Sequence, residues 1–96
     1  MALTFEWDDA KAVVNVSNHG VSFDEAVTVF ADAFSLTIYD ERHSSDEDRY
    51  IDIGRSVSNR LLVVVYTERG DRIRLISARR ATASERRQYD QRNTGA

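Results

Sequence analysis

The side chains of this chain best suited to chemistry are its arginines, and they are not scattered. Six of the twelve, Arg72, Arg74, Arg79, Arg80, Arg86 and Arg87, fall in residues 72–89, RIRLISARRATASERRQY. Ile73, Leu75, Ile76 and Ala78 predict a strand there, and residues 82–89 predict a helix. A strand holds its side chains at fixed spacing, and a following helix adds more from one side. The product is a preformed cationic surface. A planar guanidinium grips phosphate through parallel N–H bonds, so the chemistry this surface suits is phosphate binding. A second group lies nearer the N-terminus. Lys11, Asn15 and His19 recur at i, i+4, i+8, with Asn18 beside them, which makes one polar stripe along a helix. The same spacing also describes a solvated face.

The elements that must position these residues can be read in order. Residues 3–7 (LTFEW) alternate, predicting a short strand. Asp8 or Asp9 caps a helix with Ala12, Val13 and Val16 as its apolar stripe, and Gly20 ends it in the left-handed conformation. Ser22-x-x-Glu25 is a capping box, with Val21 a hydrophobic staple to Ala26. Phe23, Ala26, Val27 and Phe30 give the second helix its core face. Residues 34–39 alternate, with Phe34, Leu36 and Ile38 on one side. Residues 40–48 (DERHSSDED) read as an irregular acidic loop in which His43 faces solvent. Three strands follow: 49–56 with Ile51 and Ile53 on one face, a Ser58-Asn59 turn, 60–68 with the run LLVVV that suits a central strand covered on both faces, and 72–78. Thr82-x-x-Glu85 opens the last helix, which runs to Tyr89 or Arg92. Tyr89 either stacks on a base or packs on the sheet.

The order β-α-α-β-β-β-β-α makes an α+β domain: a small antiparallel β-sheet packed by two N-terminal helices, with a C-terminal helix. One domain is expected over residues 1–92, with residues 93–96 as a frayed tail. Strand parity places Arg55 and Arg79 at the same end of the sheet, on the face of Ile53 and Leu75, with backbones roughly 10 Å apart. It places Arg72 and Arg74 on the opposite face with Ile76, and Arg49 at the far end near Arg72. The arginines therefore form at least two patches. Arg60 and Arg69, beside turns, read as solvated.

Composition narrows the classes. A chain of 96 residues builds one modest core. It has no cysteine and only two histidines, so neither a disulfide framework nor a multi-His or thiolate metal site is expected, and no nucleotide-cofactor motif occurs. The first residues lack the pattern of a secretion signal, and nothing approaches the roughly 20 apolar residues of a membrane span, so a cytoplasmic protein is expected. The net charge of −3 conceals a split: residues 1–48 carry −9 and residues 49–96 carry +6. The basic half suits a polyanion.

Two segments together resemble one known family. FEWDDAKAVVNVSNHGVSFDEAVTVF (residues 5–30) and RIRLISARRATASERRQY (residues 72–89) resemble the BrnT family, the toxin half of a bacterial type II toxin–antitoxin pair. The resemblance implies a RelE-like fold and RNA cleavage that slows translation and growth. It also implies neutralisation by a BrnA-like antitoxin with a ribbon-helix-helix domain, the pair repressing its own operon, so operator DNA is met only through the antitoxin. Residue by residue, it carries over to Lys11 in the first helix, His19 of His-Gly, Arg49 at a strand start, Arg79 after Ile-Ser-Ala, and Glu85 with Arg86 in the last helix. The family's lysine before His-Gly is Asn18 here.

Metal-independent RNA cleavage needs a base for the 2′-OH proton, cations for the crowded phosphate and an acid for the leaving 5′-oxygen. Arg79, His19, Lys11, Arg49 and Glu85 are the catalytic candidates. Arg79 supplies preorganised charge, and His19 serves as base or acid because a free imidazole titrates near about 6.5. Glu85 is an alternative base, or only the third residue of its capping box. Arg55, Arg72, Arg74, Arg80 and Arg86 are the RNA-binding candidates. The antitoxin is expected to set acidic or apolar residues over the arginine surface. A second reading stays open: a non-catalytic module that binds an antitoxin and co-represses the operon.

Overall fold

The computed structural model describes residues 3–94. The elements are β1 (Thr4–Glu6), α1 (Asp9–His19), α2 (Phe23–Val27), β2 (Leu36–Tyr39), β3 (Arg49–Arg55), β4 (Leu61–Arg69), β5 (Arg72–Arg80) and α3 (Ala83–Thr94). The predicted order holds. The strands lie in the order β1-β5-β4-β3-β2. β2 to β5 are antiparallel neighbours, whereas β1 joins the edge of β5 in parallel, Phe5 opposite Ile73, so the sheet is mixed. Residues 93 and 94, placed in a frayed tail by sequence, continue α3; Gly95 and Ala96 lie outside the described residues.

One sheet face is covered by α2 and the 3-10 turn Thr28–Ala31, with Val21, Phe23, Ala26 and Val29 packed on Leu62, Val64, Tyr66, Leu75 and Ala78. On the other face Tyr89 of α3 closes a smaller core over Ile53, Leu61 and Val63. β4 is thus buried from both sides, as its apolar run requires. The predicted second helix is shorter than its stripe: it tightens into the 3-10 turn at Thr28, which turns Val29 fully inward and leaves Phe30 half-buried. The turn lies directly on β3 at Gly54, where an added Cβ would stand 2.7 Å from Val29 Cγ1.

Three local expectations are corrected. Val13 and Val16 do not face the core; they are exposed, and α1 buries Asn15 instead. Phe34 precedes β2 rather than alternating with Leu36 and Ile38, and its N–H donates to Asp32 Oδ1 at 2.9 Å. Residues 40–48, expected to be unordered, are tied down although mostly irregular in form. A short 3-10 turn spans Glu41–His43, Asp40 holds His43 Nδ1 at 2.9 Å, Ser44 Oγ accepts from the Arg49 N–H at 2.9 Å, and Tyr39 donates to Asp48 at 2.8 Å.

The largest departure is one residue wide. Val65 pairs with Ser77 but Tyr66 pairs with Leu75, so Ile76 is an extra residue, a β-bulge, in β5. Opposed residues share a face, and a bulge reverses the alternation beyond it. Ile53, Val63 and Arg79 are opposed, as are Arg49, Thr67 and Arg74, Arg55 and Leu61, and Arg69 and Arg72. Arg49, Arg55, Arg72, Arg74 and Arg79 therefore all lie on the face that α3 partly covers. The two patches read from strict alternation come to share one face, at its two ends, and Leu75 lies on the opposite face from Arg79.

Candidate arginine face and adjoining cavity

Each arginine on this face sits in a different electrostatic setting. At the α3 end, Arg79 Nη1 and Nη2 donate to the two Glu85 carboxylate oxygens, both at 2.8 Å. The capping box of α3 closes as predicted: Glu85 Oε1 accepts from the Thr82 N–H at 2.8 Å and Thr82 Oγ1 from the Glu85 N–H at 3.2 Å. The Arg79 guanidinium, helped by the Thr82 N–H and opposed by burial, holds the Glu85 carboxyl down at about 2. The Glu85 carboxylate is thus committed to the Arg79 guanidinium, and the two contacts fix that guanidinium's orientation.

This ion pair carries a pH prediction. Glu85 titrates below its ordinary value near 4.5, so the pair stabilises the fold fully above about pH 4.5 and loses that contribution as pH falls toward about 2. In urea unfolding at stepped pH, the stability gap between wild type and Glu85→Gln should stay constant from about pH 7 to pH 4.5 and narrow below. A gap unchanged down to about pH 2.5 would contradict the assignment.

Arg55 stands at the same end, its guanidinium 5.8 Å from the centre of the Tyr89 ring. Tyr89 packs on the sheet rather than standing free for a base. Its hydroxyl donates to Asp32 Oδ2 at 2.7 Å, and the Arg55 N–H donates to the same oxygen at 2.8 Å. Burial pushes the Asp32 carboxyl up, but the Arg55 and Phe34 N–H groups and the Tyr89 hydroxyl outweigh it, and the net shift is downward. Asp32 thus pins α3 and the 3-10 turn to β3. No local sequence signal marked it, because its partners lie 23 and 57 residues away.

At the far end, Glu6 of β1 takes Arg74 at 3.0 Å and Arg72 at 3.3 Å, so one carboxylate offsets part of their joint charge. Arg49 lies two strands from Arg74, roughly 10 Å away by strand spacing. It makes no ion pair among the described residues, and its Nε is buried without a hydrogen-bond partner. Arg80 pairs with Leu62 and so points to the opposite face, toward Glu25; Arg86 is exposed on α3. Arg60, read as solvated, is instead bound to Glu25, its Nε donating at 2.9 Å. The capping box expected at Ser22 is accordingly half-formed: Ser22 accepts from the Glu25 N–H, while the Glu25 carboxylate serves Arg60 and Ser56.

Lys11 and His19 come together elsewhere. β1 covers β5 only from Arg72 to Arg74, and beyond that the free edge of β5 is met by α1. There the Asn15 carboxamide replaces a strand: Oδ1 accepts from the Ala78 N–H at 3.1 Å, and Nδ2 donates to Ala78 O at 2.9 Å and Val21 O at 2.8 Å. Beside it opens a cavity of about 330 Å³ lined by Lys11, Asn18, His19, Ile76 and Ser77, among others. Asp8 caps α1, accepting from the Lys11 N–H at 3.0 Å, and Gly20, at φ 66°, ends it with its N–H on Val16 O at 2.8 Å, so both polar residues sit on fixed backbone. Ser77 shares the face of Arg79, two residues along β5. The five catalytic candidates thus divide: Lys11 with His19 in the cavity, Arg79 with Glu85 next along the strand, and Arg49 at the opposite end. Ser77 was missed, although it stands inside the Ile-Ser-Ala-Arg motif.

The imidazole and the ammonium line the cavity at the β5 edge, and the guanidinium groups lie on the adjoining sheet face. Among the described residues no cluster of three His, Asp or Glu side chains could hold a metal ion, and no helix is long and apolar enough to cross a membrane. A comparison with curated protein sequences finds no match. The fold is similar to the 1.1 Å crystal structure of the Brucella abortus ribonuclease toxin BrnT, with a TM-score of 0.67 and 20% identity over 84% of this chain and 99% of that one. The sequence profile described as "Ribonuclease toxin, BrnT, of type II toxin-antitoxin system" matches residues 7–85, spanning α1, α2, the strands β2 to β5 and the Arg79–Glu85 pair. The chain therefore belongs to the BrnT family of ribonuclease toxins from type II toxin–antitoxin systems.

Proposed function

We propose that this chain is a metal-independent endoribonuclease that inhibits translation and growth, neutralised by a BrnA-like ribbon-helix-helix antitoxin. The observation that carries the reading is the gathering of five strand arginines on one sheet face, with the Lys11–His19 cavity opening at its edge. RNA lies with its phosphates along that face. Arg49 and Arg55 bind backbone, and Arg72 and Arg74 contribute less because Glu6 offsets them.

At the cavity, His19 takes the 2′-hydroxyl proton. The 2′-oxygen bonds to phosphorus and the bond to the 5′-oxygen breaks, leaving a 2′,3′-cyclic phosphate. The Lys11 ammonium gives the departing 5′-oxygen its proton. Arg79, held by Glu85, meets the charge that builds on the phosphate. Fixed cations perform here what reorganising water would do slowly.

The test is cleavage of single-stranded RNA by purified protein in excess EDTA. Cyclic-phosphate products are expected, with the rate lost by about 10²-fold or more in folded His19→Gln. Apparent RNA affinity should fall steeply with salt, by a log–log slope of about −0.7 for each phosphate neutralised. No cleavage by soluble, folded protein, or cleavage that EDTA abolishes, would refute the mechanism.

A further inference from the structure

Helix α1 is built inside out. Its one buried residue is Asn15, with the exposed Lys11 and His19 beside it at the cavity, and Val13 is 71% exposed, Val14 55% and Val16 49%. Valine is a poor helix former, because its branched side chain loses χ1 freedom against the preceding turn. At water-facing positions of an 11-residue helix three valines weaken the element and bury only part of their surface, unless something covers them.

Two rows run along this outer side. Asp9, Val13 and Val16 follow i, i+4, i+7, and Val13 and Val16 continue into a shallow groove with Trp7, Phe23 and Asp24. Ala10 and Val14 form the second row and line the mouth of the Lys11–His19 cavity. The charges beside the Val13–Val16 groove are acidic, whereas Lys11 stands on the cavity side. Asp9 and Asp24 are exposed and make no ion pair among the described residues.

We infer that this outer face of α1 is the docking surface of the antitoxin, which lays an apolar stripe flanked by lysines or arginines along the valines and closes the mouth of the cavity. Charge decides the occupant. A second copy of this chain would bring Asp9 and Asp24 against their own equivalents, which like charges oppose. A basic partner is drawn to them. The arginine face is the weaker alternative for a protein partner, since Arg72, Arg74 and Arg79 are already paired with Glu6 and Glu85. The partner's identity rests on membership of the toxin family. Only the consequence of docking, occlusion of the cavity, rests on the proposed cleavage site.

The test takes the product of the reading frame adjoining this gene, shown to restore growth and then purified, and titrates it against full-length toxin by calorimetry. Val13→Lys/Val16→Lys, with its circular dichroism and any RNA cleavage unchanged, is expected to bind at least about 30-fold more weakly, the loss of a hot spot. Asp9→Asn/Asp24→Asn should bind several-fold more weakly, with a shallower dependence on salt. Wild-type affinity in the valine variant, with the loss falling on Arg49→Ala or Arg55→Ala instead, would overturn the inference in favour of the arginine face. A dimer of the toxin alone that the valine variant dissolves would overturn it in favour of a second copy. An adjoining product that neither restores growth nor binds would remove the occupant. Binding is read without RNA, so a toxin that fails to cut yet loses its antitoxin on Val13→Lys/Val16→Lys refutes the nuclease reading and leaves the docking surface standing.

Discussion

Asn15→Ala is expected to lower the melting temperature by roughly 12–24 °C, a loss of about 3 kcal/mol or more. The side chain is 5% exposed and makes three hydrogen bonds, to the Ala78 N–H, Ala78 O and Val21 O. Truncation leaves those three backbone groups buried beside a void. Each unmet group costs about 1–3 kcal/mol, reduced where water enters from the neighbouring cavity. Domains of this size hold only about 5–15 kcal/mol in total. Asn15→Asp should be at least as damaging, because a carboxylate would face two carbonyl oxygens with no N–H to offer them. Thermal unfolding by circular dichroism reads the shift, and a change under about 5 °C would show that the carboxamide does not tie α1 to β5. The damage should extend to function, since the same bonds hold Lys11 and His19 against the strand that carries Arg79.

Arg79→Ala is expected to slow RNA cleavage by about 10²–10³-fold while the protein stays folded, the usual cost of removing one preorganised donor from a developing anion. Glu85 and the Arg80 carbonyl occupy three of the guanidinium's N–H groups, leaving about two of five free for phosphate. Arg79→Lys keeps the charge but loses the fork, and should recover only part of the rate. Glu85→Gln separates orientation from chemistry. If Glu85 only holds Arg79, the variant loses less than about 10-fold and keeps the wild-type pH profile. Single-turnover cleavage across pH distinguishes these outcomes, and a folded Arg79→Ala protein cutting at the wild-type rate would remove Arg79 from the site.

Much of the architecture is visible in local sequence because its causes are local. Asp8 and Gly20 bound α1, Thr82 and Glu85 close a capping box, and the LLVVV run of β4 is covered on both faces; each depends on residues within a few positions of one another. The two motifs that carried the family resemblance are likewise contiguous stretches, and the family stands. The candidate site was legible as a list of residue types rather than as a place. Lys11, His19, Arg79 and Glu85 could be named, but not their division into a cavity and an ion pair.

The tertiary structure decided three things that local rules cannot reach. It chose which side of α1 is buried. An apolar stripe ordinarily wins, but here the unpaired edge of β5 offers an N–H and a carbonyl that the Asn15 carboxamide satisfies together, so Asn15 goes in and the valines stay out. It chose the charge state of the arginine face, because Glu6 reaches Arg72 and Arg74 across more than sixty residues of chain. And it chose which face the arginines share. Alternation along a strand has period two, so one extra residue at Ile76 reverses everything beyond it and brings two predicted patches onto one face. The sequence by itself determined the elements, their order and the family; the register between strands distant in sequence determined where the charge lies.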